Sequence, residues 1–504
     1  MKKILTLQNL RRAYGVFFFL LFVLLIGITD FRHIKGYEVS LFLELDPLVA
    51  LLAFLTSWTV YKGLALSLAT IIGTLLLGRF FCSWICPMGI LNQWISHLFN
   101  KRRPAEDYSV NAYRKVYRLK YYILVILVAL ALFGSLQIGL LDPIATITRS
   151  FVVSVVPALN HVDGALYLRQ PFFYGGIAVT LFFLAVLFAN RFLTRFWCRV
   201  LCPLGALLGL MSTFSLLRIR RDVDKCTDCQ KCLRYCHGGC DPHTRLRVTE
   251  CHLCMNCIED CPEGAIHYGL PRPASSVHAP LDVNRRRLIE TAVAGTLLFP
   301  MMRSSITSQS TAEAGVIRPP GSIDEAAFLR RCIKCGECMR VCPTNVIQPA
   351  LLEGGLEGLW TPILLNRIGY CEFNCVLCGQ VCPTGAILPL SVEKKVGKPP
   401  HEKPLVIGTA FFDRGRCLPW AMNTECIVCE EVCPTSPKAI WFQTEEVKLR
   451  DGKSRSLKRP YLDTKLCTGC GICENKCPVH DRPAVRVTSI GETRSRTNQM
   501  ILDR

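Results

Sequence analysis

The stretch Cys332-Ile333-Lys334-Cys335-Gly336-Glu337-Cys338-Met339-Arg340-Val341-Cys342-Pro343 decides how the chain is read. Three thiols, with two residues between each and the next, can hold three corners of a four-iron, four-sulfide cubane. The fourth, just before proline, reaches the neighbouring cluster of a pair. Pro343 suits the first turn of a following helix, where its missing N–H leaves no bond unmade. Working outward, the same run recurs five times. Cys226, Cys229, Cys232, Cys236 and Cys251, Cys254, Cys257, Cys261 lie upstream. Downstream come Cys371, Cys375, Cys378, Cys382, with one extra residue in the first gap, and Cys417, Cys426, Cys429, Cys433, with a long first gap. Cys467, Cys470, Cys473, Cys477 closes the series with regular spacing.

The crossing rule puts Cys226, Cys229, Cys232 and Cys261 on one cluster and Cys236, Cys251, Cys254 and Cys257 on a second. His237 rather than proline follows Cys236, and Cys240 lies close by. Cys236 keeps the usual spacing and is read as the ligand. Spacing leaves open which of the last four runs pair. The six runs take 24 of the 29 cysteines, so about six [4Fe-4S] clusters are expected. Zinc is the competing reading for any single Cys-x2-Cys pair. It does not call for a four-cysteine run repeated six times. Disulfides, the usual use of dense cysteine in a small secreted chain, would consume the thiolates the clusters need.

Half of the 504 residues are hydrophobic, and the long apolar runs fall in the first two hundred. Four are long enough, or nearly so, to cross a bilayer: 13–29, 64–81, 121–141 and 172–189. Shorter ones at 48–60 and 144–159 read as re-entrant or interfacial pieces. The halves repeat. Leu45-Asp46-Pro47 matches Leu141-Asp142-Pro143, and Arg79-Phe80-Phe81-Cys82-Ser83-Trp84-Ile85-Cys86-Pro87 matches Arg195-Phe196-Trp197-Cys198-Arg199-Val200-Leu201-Cys202-Pro203. Such order at a hundred-residue offset implies duplication. Cysteines at i and i+4 share a helix face, so Cys82, Cys86, Cys198 and Cys202 could converge into an additional iron–sulfur or soft-metal site at the membrane edge. The plainer alternative is inert thiols at two helix ends. Glu44, Asp46 and Asp142 are proton-acceptor candidates because ionisable groups near a span are costly unless used. Each Asp-Pro also reads simply as a helix cap.

The net charge of +20 comes without a nucleic-acid motif, so no nucleic-acid partner is expected. Basic clusters at Lys2, Lys3, Arg11 and Arg12, at 101–103, at 114–120, and at Arg218, Arg220 and Arg221 flank the apolar spans. They put those flanks in the cytoplasm. No small-residue cleavage site closely follows the first apolar run, so no removable leader is expected there. After a Pro/Ser linker at 271–280, Asn284-Arg285-Arg286-Arg287-Leu288-Ile289 and an apolar stretch resemble a twin-arginine export signal, with Ala312-Glu313-Ala314 as a candidate cleavage site. A basic linker lying on the membrane is the alternative. No Cys-x2-Cys-His haem motif and no G-x-G-x-x-G between a strand and a helix occur, which argues against haem attachment and a nicotinamide donor.

Residues 1–270 resemble NapH of periplasmic nitrate reduction and its relative MauN, on four spans, two Cys-x3-Cys-Pro motifs and a two-cluster tail. The motif is shared with NosR. Residues 284–504 resemble NapG and MauM, on the twin-arginine start and four cysteine runs. The resemblance implies a quinol dehydrogenase component of the cell inner membrane, drawing on the quinone pool and feeding a periplasmic reductase or cytochrome partner. Two other readings stand beside it: a maturation or regulatory factor for a partner metalloenzyme, and a ferredoxin-fed relay without a quinol site. The expected fold is multi-domain: an all-α membrane domain with four transmembrane helices (1–215) plus α+β bacterial-ferredoxin-like [4Fe-4S] domains. These are a cytoplasmic two-cluster domain (216–270) and, after the linker (271–315), a four-cluster domain facing the periplasm (316–504).

Overall fold

The computed structural model describes residues 6–34, 39–59, 61, 63–100, 111–163, 173–270, 281–303, 316–399, 403–448, 452 and 454–499. Lys2, Lys3, the basic cluster at 101–103, the linker at 271–280 and Ala312-Glu313-Ala314 lie outside the described residues.

The first part is helical and repeats itself. Its longer helices are α1 (Leu7–Ile28), α2 (Pro47–Ser57), α3 (Ser67–Leu77) and α4 (Pro87–Asn100), then α5 (Leu119–Leu132), α6 (Pro143–Ser150), α7 (Gly176–Ala189) and α8 (Pro203–Ser212). The two sets of four correspond in order. Asp46 and Asp142 each accept from two backbone N–H groups, at the starts of α2 and α6, with proline as the first helical residue. Each cap is worth about 1 kcal/mol. Among the described residues only α1 is both long and apolar enough to cross a membrane by itself. Helices occupy the other three expected spans but are shorter. The 121–141 stretch stops at Leu132, and the 172–189 stretch begins at Gly176. The two shorter pieces, expected to be re-entrant or interfacial, pack inside the helical part. Leu48, Val49, Leu52, Ile144 and Ile147 are all buried in one core.

A polar knot joins the halves inside this core. Asn190 Nδ2 donates to Asn92 Oδ1 at 2.8 Å, Ser96 Oγ donates to Asn190 Oδ1 at 3.0 Å, and the Arg195 N–H donates to Ser96 Oγ at 2.8 Å. Buried groups satisfied in this way fix one arrangement of the helices.

The arginine-led segment forms α9 (Arg285–Arg303), 19 residues with Pro300 inside. It runs beside α5. Arg118, just before α5, pairs with Asp282 at one end, and Phe133 meets Phe299 at the other. Gly295 is required at the contact: a Cβ there would stand 3.0 Å from Ala129 Cβ and 3.2 Å from Ile126 Cα. Small residues let helix backbones approach closely.

Two cysteine-rich modules flank the helical part. The first holds an antiparallel pair, β1 (Arg218–Arg221) with β2 (Ile266–Gly269). The second holds β3 (Ile347–Pro349) with β4 (Pro362–Leu364), and β5 (Thr409–Phe412) with β8 (Val485–Thr488). It also carries a long hairpin of β6 (Ile440–Lys448) and β7 (Ser454–Leu462). The modules sit at opposite ends of α1. Gln8 Nε2 donates to Asn256 Oδ1 of the first at 2.9 Å, and Arg340 Nε of the second donates to the Ile26 carbonyl at 3.3 Å. Eighteen helical residues separate these contacts, about 27 Å along the axis.

Candidate electron-transfer site

Each regular run folds the same way. In the run 332–342 a loop carries Cys332 and Cys335, and the short helix Glu337–Arg340 carries Cys338 and stops before Cys342. A turn and then β3 follow Pro343. The helix expected after Cys-Pro is therefore absent here, and a helix precedes the fourth cysteine instead. Proline ends the helical turn at the residue before it.

The thiols gather in fours. Cys261 stands with Cys226, Cys229 and Cys232 around one cavity. Cys236 lies within electrostatic reach of Cys251, Cys254 and Cys257. In the second module Cys382 approaches Cys332, Cys335 and Cys338, while Cys342 approaches Cys371, Cys375 and Cys378. Cys477 lines a cavity with Cys417, Cys426 and Cys429, and Cys433 lines one with Cys467, Cys470 and Cys473. The third run thus crosses with the fourth and the fifth with the sixth, a pairing that spacing leaves open. The two pairs touch where the Cys371 N–H donates to the Cys470 carbonyl at 2.8 Å.

Burial and crowding of like groups hold these thiols in the neutral form, which metal binding must overcome. Burial, then the neighbouring thiols of Cys236 and Cys261, pushes Cys232 up to about 12. Burial and the thiols of Cys417 and Cys426 likewise push Cys429 up to about 12. Binding metal displaces such protons. Cys236 goes the other way and is pushed down, chiefly because the Cys240 thiol donates to it. Their sulfurs are 3.4 Å apart, and Cys240 also meets Cys251. The leftover cysteine therefore packs directly against the second group. His237 has a physical reason to replace proline: its backbone N–H donates to the Cys254 thiol, a bond that proline cannot make.

Both modules are bolted to the helical part by buried polar groups. At the first, Lys120 pairs with Glu250, and Tyr121 Oη donates to the same carboxylate at 2.9 Å. Arg199 donates to the Cys236 and His237 carbonyls at 2.7 and 2.8 Å. At the second, Lys334 Nζ donates to Gln137 Oε1 at 2.6 Å, and Thr56 Oγ1 donates to the Arg330 carbonyl at 2.8 Å. Gly139 passes so close to Ile333 that a Cβ would fall 1.9 Å from its carbonyl oxygen.

Between these docks lie the duplicated motifs. Cys82 sits in the turn Phe81–Trp84, while Cys86 immediately precedes α4. Cys198 is in the π-turn Trp197–Leu201, and Cys202 caps α8. The expected single helix face is therefore broken between the two cysteines of each pair, because Pro87 and Pro203 start new helices. All four thiols are nonetheless buried and within electrostatic reach of one another. The carboxyls of Asp46 and Asp142 meet side chain to side chain at the seam of the repeat. Each is fully buried, with one oxygen free of any other donor. Glu44 stands apart from them, accepting from Ser40 Oγ at 2.6 Å beside Gly63.

Sequence reasoning missed the arginines. Arg79, Arg149, Arg195 and Arg199 are buried around these sites. The signal was present for two of them, since Arg79 and Arg195 each stand three residues before the first cysteine of a repeated motif.

Paired strands beside crossing cysteine runs, docked on helices, define a ferredoxin-type iron–sulfur electron-transfer protein with several [4Fe-4S] clusters. The family described as "4Fe-4S binding domain" matches at residues 59–106 and 174–222, and a second family of that description at 329–348 and 460–480. The putative electron transport protein YccM of Escherichia coli is 33% identical over 43% of this chain, which spans 58% of YccM's length. The methylamine utilization ferredoxin-type protein MauM of Methylorubrum extorquens is 33% identical over 41% of this chain and 90% of its own. The ferredoxin-type protein NapG of Escherichia coli is 33% identical over 40% of this chain and 84% of its own. The chain belongs to the family of ferredoxin-type proteins that includes MauM and NapG. No solved structure matches it.

Proposed function

We propose that this chain is a quinol dehydrogenase component spanning the cell inner membrane, with a NapH/MauN-type half and a NapG/MauM-type half in one polypeptide. Electrons from the quinone pool leave through the second module to a periplasmic redox partner. The clusters supply one-electron transfer, which splits the two electrons of a quinol into single steps.

What carries this reading is the pair of contacts at the two ends of α1. Their separation of about 27 Å is close to the ~30 Å thickness of a hydrocarbon core. The surface between them is apolar: Phe17, Leu20 and Leu24 of α1, Leu68 and Ile72 of α3, and Ile177, Leu181 and Leu184 of α7 are exposed. Such a belt suits lipid and is rare on a soluble monomer. The 19 residues of α9 cover a similar distance, about 28 Å, so that helix can carry the chain from one side to the other. Arg11, Arg12, Lys115 and Arg118 cluster at the first module's end, which fits a cytoplasmic side.

The proposed ligand sets follow the thiol groups. They are Cys226, Cys229, Cys232, Cys261; Cys236, Cys251, Cys254, Cys257; and Cys332, Cys335, Cys338, Cys382. The remaining three are Cys342, Cys371, Cys375, Cys378; Cys433, Cys467, Cys470, Cys473; and Cys417, Cys426, Cys429, Cys477. The last set lies at the outer end of the second module, where Met422, Ile427 and Trp441 are exposed and a partner can approach. The Asp46–Asp142 pair offers a place for a quinol proton at the seam of the helical part.

The test is to purify the chain without oxygen and add a quinol analogue. Bleaching of the clusters and an EPR signal from reduced iron are expected. Reduction by a reduced ferredoxin with none by quinol would overturn the reading.

A further inference from the structure

The geometry points to one more iron–sulfur cluster, held jointly by Cys82 and Cys86 of one repeat and Cys198 and Cys202 of the other. This rests on reading the chain as an electron carrier. Each "4Fe-4S binding domain" match in this region contains only two cysteines that lie near each other in sequence, and a cluster takes four. The fold resolves the shortage by crossing the repeats. Arg195 of the second repeat donates to the Cys82 carbonyl at 3.1 Å and the Gly89 carbonyl at 2.6 Å in the first. Arg79 of the first lies against Gly205 of the second, where a Cβ would fall 2.2 Å from its Nη2 and 3.3 Å from Cys202 Sγ. The two halves thus interlock around the thiols.

The surroundings are built for sulfur that carries negative charge. Arg79 Nε donates to Cys82 Sγ at 3.2 Å, and the Gly205 N–H donates to Cys202 Sγ at 3.2 Å. The Gly89 N–H donates to the Cys86 thiol. Arg79 Nη2, Arg195 Nε and Arg195 Nη1 are buried donors without an acceptor, although both side chains are 1% exposed or less. Unpaired buried guanidinium is costly. A cluster core of about two positive charges with four thiolates leaves about two negative charges, which the two arginines match. Among the described residues no three Cys, His, Asp or Glu side chains stand as close as one metal ion draws them. The same holds at the ferredoxin runs.

Position gives the site its use. Arg79 Nη1 donates to the Thr249 carbonyl at 3.2 Å, two residues before Cys251 of the first module. On the other side Cys86 lies within reach of Asp142, and Asp142 of Arg149, which in turn reaches Cys335 of the second module. The cluster would break the gap between the modules into shorter electron transfers. Each takes one electron in and passes one on, with no bond made or broken.

The experiment is an iron and acid-labile sulfide count with Mössbauer spectra on the anaerobically purified full chain. The expected parent value exceeds the roughly 24 iron atoms of six cubanes. Cys86→Ser with Cys198→Ser should lower it by about two to four iron atoms and leave the ferredoxin signals in place. Should that variant fail to accumulate, the parent count decides. A parent with complete ferredoxin signals and no iron beyond six clusters, or with zinc in the difference, overturns the inference. Reduction by quinol in such a preparation would leave the proposed function standing. A full count without quinol reduction would do the reverse.

Discussion

Arg149 Nη1 donates to the backbone carbonyl of Lys334 at 2.9 Å. One residue closes the last turn of α6 in the helical part, and the other lies between the first two cysteines of the second module's first run. The same guanidinium sits over the Trp360 ring at 4.2 Å and donates to the Gly139 carbonyl at 2.8 Å. A buried arginine over an aromatic ring, with one nitrogen bonded to two carbonyls, has little freedom to move. It holds the group of Cys332, Cys335, Cys338 and Cys382 against the helices, on the side where Asp46 and Asp142 meet.

Asp46→Asn and Asp142→Asn test the proton role. Asparagine caps a helix about as well as aspartate, so fold and iron content should hold. General acid–base groups contribute about 10²–10⁴-fold. The rate of cluster reduction by quinol should fall at least tenfold, while reduction by dithionite stays unchanged. Equal loss with both reductants would reduce the pair to structure.

Lys395 tunes one cluster. Its Nζ donates to Cys371 Sγ at 3.3 Å and to the Glu372 and Cys375 carbonyls at 2.6 Å each. A positive donor on a thiolate favours the reduced, more negative cluster. Lys395→Met should lower the reduction potential of that cluster by about 60 mV, a tenfold change for one electron. A redox titration followed by EPR reads the shift.

Lys120 and Glu250 lock the first module in place. Both are buried. Removing one partner strands a charge and costs about 3–5 kcal/mol, whereas replacing both with apolar residues is often near neutral. Lys120→Met or Glu250→Gln alone should sharply raise protease sensitivity at residues 218–269, and Lys120→Met with Glu250→Leu should restore most of the protection.

Glu325 makes the second module acid-sensitive. Burial opposes its ionisation, but Arg318 and Arg494 outweigh that and hold the carboxyl down at about 2. A carboxylate depressed by folding adds stability that is fully present above its usual range near 4.5 and lost as pH falls through about 2. The shift corresponds to about 3 kcal/mol. Anaerobic melts of Glu325→Gln should show a loss of that order at pH 7, shrinking as the pH is lowered below 4.5.

Much of this was legible in the cysteines, because cluster-binding spacing is local and its chemistry is specific. What needed three dimensions was anything set by contact. Cys382 joining Cys332 instead of another run depends on how two loops pack. The helix break between Cys82 and Cys86 follows from Pro87, whose effect competes with the i, i+4 reading. Cys240 beside Cys236, and the His237 N–H on Cys254, are tertiary facts that spacing cannot carry. The helix lengths also differ from the hydropathy pattern. Apolar runs such as 121–141 continue past the end of the α-helix into a buried turn at Leu136 and a short 3-10 helix at Ile138–Leu140, so hydrophobicity marks burial there and not one continuous α-helix.

The proposed function requires the two ferredoxin modules to lie on opposite faces of a membrane and to be joined electrically. The full chain in sealed liposomes, with cytochrome c trapped inside and a membrane-impermeant reductant outside, tests it directly. Reduction of the trapped cytochrome that needs the protein is the result the account predicts. Clusters that all bleach while the trapped cytochrome stays oxidised would contradict it.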